Sequence, residues 1–311
     1  MNHPNYHHQR GAALIIVLGL VALISTWAID ALYEDNIALR RAENSKNALL
    51  AAQANQSALI LTAMILKEDF KTSPQTDDLD EVWAQPSQPF PIDDGMVQAS
   101  IIDTNRFINL NNLVDNNGNV IPAVEIQVKR LFFLLDLDAT LVDALIDWMD
   151  SNAQPHGSNG AEDSNYFDRD YHAKNARLNR WDELLLIQGF DAKIVSKLAT
   201  VATIREVPQA GITMVNINTA PELVLMALAP NMTQSDAEIF MASRPYQVVP
   251  TAQSHIWLTP DILPYLSVSS DIFMVRTLAS FGRANLRETF MLQRQSTIIT
   301  LRSWEHSRRY R

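Results

Sequence analysis

An α+β fold follows from three features of the sequence. Residues 20–73 contain neither glycine nor proline, short stretches near 95–109 and 267–304 alternate apolar with polar side chains, and the region between them is patterned as helices. The absence of both helix breakers over so long a run predicts one long N-terminal helix. Period-two alternation predicts strands with one buried face. The predicted architecture is therefore a long helix packed on a small antiparallel sheet, with a large all-α domain inserted between the strands.

The N-terminal helix divides by composition. Residues 11–29 carry no charge, and at about 1.5 Å per residue they cover roughly 28 Å, close to a bilayer's ~30 Å hydrocarbon core. His3, His7, His8 and Arg10 precede this run, and Asp30, Glu34 and Asp35 follow it, which places the N-terminus in the cytoplasm. A cleaved secretion signal has an apolar core of only about 7–15 residues. Here the helical pattern continues through Leu32, Ile37, Leu39, Ala42, Leu49, Ala52, Leu59, Met64 and Leu66. Arg40, Arg41, Glu43, Lys46, Asn55 and Gln56 lie between them. The sequence thus predicts a leader at 1–11, a membrane part at 12–29 and an amphipathic stem at 30–72. The run without helix breakers reads as one continuous helix of roughly fifty-five residues, about 80 Å long.

Beyond the stem, residues 73–109 hold a linker rich in proline and acid, followed by a first strand in which Val97, Ala99 and Ile101 alternate with polar neighbours. The insertion spans 110–266 and contains three helical pairs, the last in "VNINTAPELVLMALAPNMTQSDAEIF" with Asn218 or Thr219 as the N-cap ahead of Pro221. The remaining strands occupy 267–304. There Phe273, Val275, Thr277 and Ala279 alternate with Met274, Arg276 and Leu278, and "FGRAN" forms a hairpin turn. A basic tail at 305–311 reads as solvated.

The net charge of −10 argues against nucleic acid as the main partner, and the lack of cysteine removes disulfides, thiolate metal sites and cysteine nucleophiles. No catalytic signature emerges. "HGSNG" places its serine too early for a nucleophile elbow, and no H-E-x-x-H or phosphate loop occurs. His156, His172 and His255 read as exposed loop residues, and Trp148 and Trp181 as core or cap positions of the insertion. The hairpin around "LAPNMTQSD" has the outline of a helix-hairpin-helix module, but it lacks the glycines and basic residues that hold phosphate. One segment does carry cation chemistry: Asp147, Asp150, Asn152, Glu162 and Asp163 offer hard oxygen ligands across a glycine-containing loop. The spacing is not that of an EF-hand. A solvated acidic loop is the competing reading.

The leader "HHQRG" followed by "AALIIVLGL" resembles a prepilin-peptidase site, and the layout as a whole resembles the type IV pilins and pseudopilins. Within that group, the large insertion, the "DW-x-D … G-A-E-D-x-x-Y … N" segment and the "V-N-x-N-T-A" segment resemble the K-type minor pseudopilins of type II secretion over essentially the whole chain. The resemblance implies a type IV pilin-like fold with a SAM or helix-hairpin-helix-like insertion, cleavage between Gly11 and Ala12, and N-methylation of Ala12. It also implies bound structural calcium at the acidic segment. Most such subunits carry glutamate at the fifth mature position, whereas this chain has Ile16. That departure implies a place at the filament tip, where no preceding subunit needs a charged partner. The implied partners are minor pseudopilins I and J, then H and the major pseudopilin G, prepilin peptidase and inner-membrane lipid, with no nucleic acid. The implied role is non-enzymatic, and the C-terminal domain is expected in the periplasm. A membrane-anchored periplasmic binding or scaffold protein using helix-hairpin-helix-like modules is the alternative.

Overall fold

The computed structural model describes residues 7–85, 87–209, 211–251 and 254–308, with side chains from Ala12 to Ser303. The leader's side chains and residues 309–311 of the expected tail lie outside the described residues. Helix α1 runs unbroken over His7–Thr72. Its apolar first part packs on nothing: from Leu14 to Leu39 every large hydrophobic that faces outward is more than half exposed. This is the chain's one described helix long and apolar enough to cross a membrane. Burial begins at Ala51 and follows one helical face through Ala54, Asn55, Ala58, Leu59, Thr62 and Leu66.

That face lies on a five-stranded antiparallel sheet, β1 (Phe90–Ile92), β2 (Gly95–Asp103), β7 (Ile272–Phe281), β8 (Ala284–Gln295) and β9 (Ile298–Arg308), in that spatial order. Ala51, Ala54 and Ala58 bring the helix close to Val97, Ala279, Phe281 and Leu286. Farther along, Leu59 and Leu66 meet Trp83, Phe273, Val275, Phe290 and Leu292. The alternation expected in β7 is present, with Phe273, Val275, Thr277 and Ala279 all buried. Two differences from expectation have physical causes. Strand β1 forms inside the stretch read as linker; its Pro91 lacks a donor, which an edge strand tolerates. The supposed tail is strand as far as Arg308, because β8 is long enough to pair with it.

Between β2 and β7 the chain builds the insertion. In order, it contains β3 (Ile108–Asn109), α2 (Pro122–Leu134), α3 (Leu141–Met149), α4 (Asp163–Tyr166), α5 (Ala192–Leu198), β4 (Ala202–Thr203), β5 (Val215–Asn216), α6 (Glu222–Leu228), α7 (Gln234–Ala242) and β6 (Leu266–Ser267). Its own core extends from Ile108 to Leu266 and is separate from the two clusters under α1. Short parallel pairings, β3 with β4 and β5 with β6, stitch its entry and exit.

Asn218 and Thr219 do not cap α6; Pro221 occupies the cap position. Their side chains are used elsewhere. Asn218 exchanges hydrogen bonds with the Tyr246 backbone, at 2.9 and 2.8 Å, and the Thr219 hydroxyl donates to the buried Asp103 of β2. Asn216 adds bonds to the Asp77 carbonyl at 3.0 Å and the Ser270 hydroxyl at 2.8 Å. The "VNINT" segment therefore fastens the insertion to the sheet.

Candidate metal centre

Every residue of α3 is buried, so its acids cannot escape into solvent. Asp143, Asp147 and Asp150 stand at i, i+4 and i+7, one stripe along one face. The loop 151–162 folds back over that stripe and gives it backbone donors. Ser158 and Asn159 N–H donate to Asp143 Oδ2 at 3.0 and 3.2 Å. His156 N–H donates to Asp147 Oδ1 at 2.9 Å, and Ala161 N–H donates to Asp147 Oδ2 at 2.6 Å. So close an approach requires glycine. A Cβ on Gly157, at φ +61°, would fall 2.4 Å from Asp143 Oδ2, and one on Gly160 would fall 2.5 Å from Asp147 Oδ2.

The loop returns Glu162 to the far end of the stripe. One carboxylate oxygen each from Asp147, Asp150 and Glu162 lies within 4.8 Å of the others, and the three residues are 0, 0 and 5% exposed. Among the described residues, Asp150 Oδ1 and Glu162 Oε1 have no hydrogen-bond partner, and no lysine or arginine pairs with any of the three. Burial, reinforced by neighbouring negative charge, pushes Asp150 up to about 6 and Glu162 up to about 7. Asp147 is also raised by burial, against its two backbone bonds. Asp150 ends the helix, where the dipole adds further negative potential.

Three buried carboxylates without a cation are costly. Calcium binds oxygens at about 2.3–2.6 Å, so oxygens sharing one ion can lie up to about 5 Å apart. The group meets that limit, and its all-oxygen donor set suits a hard divalent ion.

Of the five residues expected as ligands, the structure brings together Asp147, Asp150 and Glu162. Asn152 presents its amide nitrogen, not its oxygen, to Asp150 Oδ2 at 2.7 Å, and its Oδ1 accepts from Gln154 N–H. Asp163 faces outward: it is 59% exposed, accepts from Ala173 N–H and sits 3.6 Å from His172. His156 is not the exposed residue expected, because its ring meets Glu125 Oε1 at 3.0 Å. His255 likewise stacks on Trp257, with ring centroids 5.0 Å apart. Sequence reasoning missed Asp143, Glu125, Lys129 and His156. The helical spacing of the three aspartates was the available signal. Trp148, expected in the core, is buried edge-on against Tyr166 at 5.4 Å and anchors the loop's far side.

At the α6–α7 hairpin the helix N-terminus is capped from within the chain. Thr233 and Asp236 form a reciprocal cap that places the chain's own carboxylate at the N-terminus of α7.

A family profile described as type II secretion system protein K matches residues 106–207, which include the whole acidic stripe, and a second of the same description matches 215–254. The type II secretion system protein K of Klebsiella pneumoniae is 31% identical over 93% of this chain and 94% of its own length. The chain belongs to the type II secretion system protein K family. The Aeromonas hydrophila member is 28% identical over 96% of this chain, and the Pseudomonas aeruginosa member is 32% identical over 71% of it. Among solved structures, the protein K fold recurs in the GspK-GspI-GspJ complex from the type 2 secretion system of enterotoxigenic Escherichia coli. That match has a TM-score of 0.72 at 21% identity, covering 86% of this chain and 100% of that one.

Proposed function

We propose that this chain is a non-enzymatic minor pseudopilin that caps the tip of the periplasmic pseudopilus and helps to start its assembly. The observation that carries the reading is α1. Its outer half is a bare apolar rod, and Ile16 stands where a following subunit would present a carboxylate. Without that charge the subunit can lead a stack but not follow one. The insertion supports the same position, since so large a domain on the globular end obstructs addition above it.

On this reading, prepilin peptidase cleaves after Gly11 and Ala12 becomes the methylated N-terminus. The apolar rod is held in the inner membrane with the globular part in the periplasm, until it packs with minor pseudopilins I and J, and then with H and the major pseudopilin G. Calcium, held by Asp147, Asp150 and Glu162, supplies positive charge that fixes the loop; it performs no chemical step. The fit of buried, unpartnered carboxylate oxygens supports this assignment.

The absence of native cysteine makes the position testable. Leu49→Cys on the exposed stem, paired with cysteines on the other subunits, should give oxidative crosslinks to I or J and none between two copies of this chain. A ladder of self-crosslinks would place it along the filament body and overturn the proposal.

A further inference from the structure

Where the insertion joins the sheet, two arginines meet without a counter-ion. Arg106 follows Asp103, the last residue of β2, and Arg244 lies just past the end of α7. The fold brings them to one place. The Thr219 hydroxyl bonds Asp103, and Arg244 Nη2 donates to the carbonyl of the next residue, Ala220, at 2.7 Å. The Arg106 guanidinium rests over the ring of Phe107, 5.6 Å from its centre. Both arginines are partly buried. Among the described residues neither forms an ion pair, and Nε of each is shut off from solvent with no hydrogen-bond partner. Asp103 is the one carboxylate there whose charge acts on Arg106, and none acts on Arg244. The Asp103 oxygens are already taken, Oδ2 by the Thr219 and Ser270 hydroxyls and Oδ1 by Asn105 N–H. Burial pushes Arg244 down to about 10, and the charge of Arg106 acts in the same direction. Arg244 is still cationic at neutral pH.

We infer that Arg106 and Arg244 form an oxyanion site that takes one carboxylate or one tetrahedral anion between the two guanidiniums. Holding two like charges together and partly out of water is unfavourable on both counts, and an anion between them relieves both. Arginine suits the task, because its planar fork of N–H donors matches the oxygens of a carboxylate, sulfate or phosphate. The donors are available. Among the described residues Arg106 gives none of its N–H groups to the chain, and Arg244 gives only Nη2. They are also held in place from separate elements, Arg106 by the Phe107 ring and Arg244 by the Ala220 carbonyl, so an anion finds its partners already oriented. The anionic group can arrive free in solution or on an acidic side chain of a second protein, and the recognising chemistry is the same.

The test is isothermal titration of the full chain in detergent, in chloride buffer at constant ionic strength, with two probes: sodium sulfate and a short glutamate-rich peptide. Wild type should bind one equivalent of at least one probe. Saturation by sulfate identifies a free anion as the ligand, and saturation by the peptide alone identifies a protein carboxylate. Arg106→Gln should weaken that binding by about tenfold, as expected for losing a hydrogen bond to a charged group. Arg276→Gln, which removes an exposed arginine from β7, should leave it unchanged. Sulfate stabilises proteins in general by exclusion from their surface, so it should raise the melting temperature of wild type by more than that of Arg106→Gln. Arg106→Met serves as the second neutral variant should the glutamine form fail to fold. No saturable binding of either probe, wild-type affinity in a folded Arg106 variant, or an equal loss in Arg276→Gln would overturn the inference.

Discussion

Among the described residues, two places gather three acids at least partly out of solvent, and they solve the problem differently. At the junction of stem and sheet the group is Asp69, Asp77 and Glu81; under the loop of the insertion it is Asp147, Asp150 and Glu162. At the junction the chain supplies its own cation. Arg294 of β8 reaches Asp69 at 2.9 Å, pairs with Asp77 and donates to the Ser270 carbonyl at 3.1 Å. Its guanidinium also lies 4.8 Å from the Phe273 ring centre. Glu81 is satisfied by the Trp83 indole at 2.7 Å and by Asp78 N–H. Among the described residues, no lysine or arginine pairs with the three acids under the loop.

The difference assigns separate duties. The joint linking α1, the sheet and the insertion is held by the chain's own arginine. Under the loop, the calcium proposed above would take the place of such a residue.

The strongest way to break that contrast is Arg294→Met. It leaves Asp69 and Asp77 buried without a partner, and truncating one side of such a pair costs about 3–5 kcal/mol. Chemical denaturation should show that loss with or without calcium. A change under about 1 kcal/mol would mean the junction does not depend on its arginine.

Removing calcium should have the next largest effect, confined to the insertion. An ion at a hundred times its dissociation constant stabilises the form it binds by about 2.7 kcal/mol. Chelation should lower the melting temperature of wild type and admit protease between residues 151 and 162. Glu162→Gln should abolish the difference between the two conditions. Equal melting of wild type with and without calcium would sink the assignment.

Acidification acts on both groups. Without the ion, Asp150 and Glu162 titrate near 6 and 7 in the folded chain, above their ordinary carboxylate values. The folded state therefore binds more protons than the unfolded state between about pH 4 and 7. Stability without the ion rises as pH falls through that window and is lost again as it rises. Asp69 near 6 and Glu81 near 7 contribute with the same sign, so total stability alone does not separate the two groups. The calcium increment does. Protons compete with the ion only under the loop, and the increment should shrink from pH 7.5 to pH 5. An increment that stays constant would exclude these carboxylates as ligands.

How much of this was legible in the sequence depends on whether a residue's role is local. The long helix could be read because a missing Gly or Pro acts residue by residue. The β7 alternation could be read because its partner face is one layer away. The asparagines of "FINLNN" could not. Asn111 reaches Leu178 and Arg205, and Asn112 reaches Thr213, all far along the chain. Asn218 and Thr219 carry good capping side chains, but tertiary partners claimed them. Lys129 was missed for the same reason, because its meeting with Asp143 depends on how α2 crosses α3, whereas the spacing of Asp143 from Asp147 was local.

The smallest predicted effect marks where sequence reading stops. Glu162 and Asp163 are adjacent acids, and composition cannot say which of them turns inward. The backbone decides it: Glu162 is the extended residue before α4 and points under the loop, whereas Asp163 begins the helix and faces solvent. Asp163→Asn keeps the oxygen that accepts from Ala173 N–H, so stability should stay within about 0.5 kcal/mol, as for other exposed substitutions. Calcium affinity, measured by titration, should likewise be unchanged, while Glu162→Gln loses it. A tenfold loss of affinity in Asp163→Asn would mean that the loop turns over when the ion binds, bringing the outer acid in.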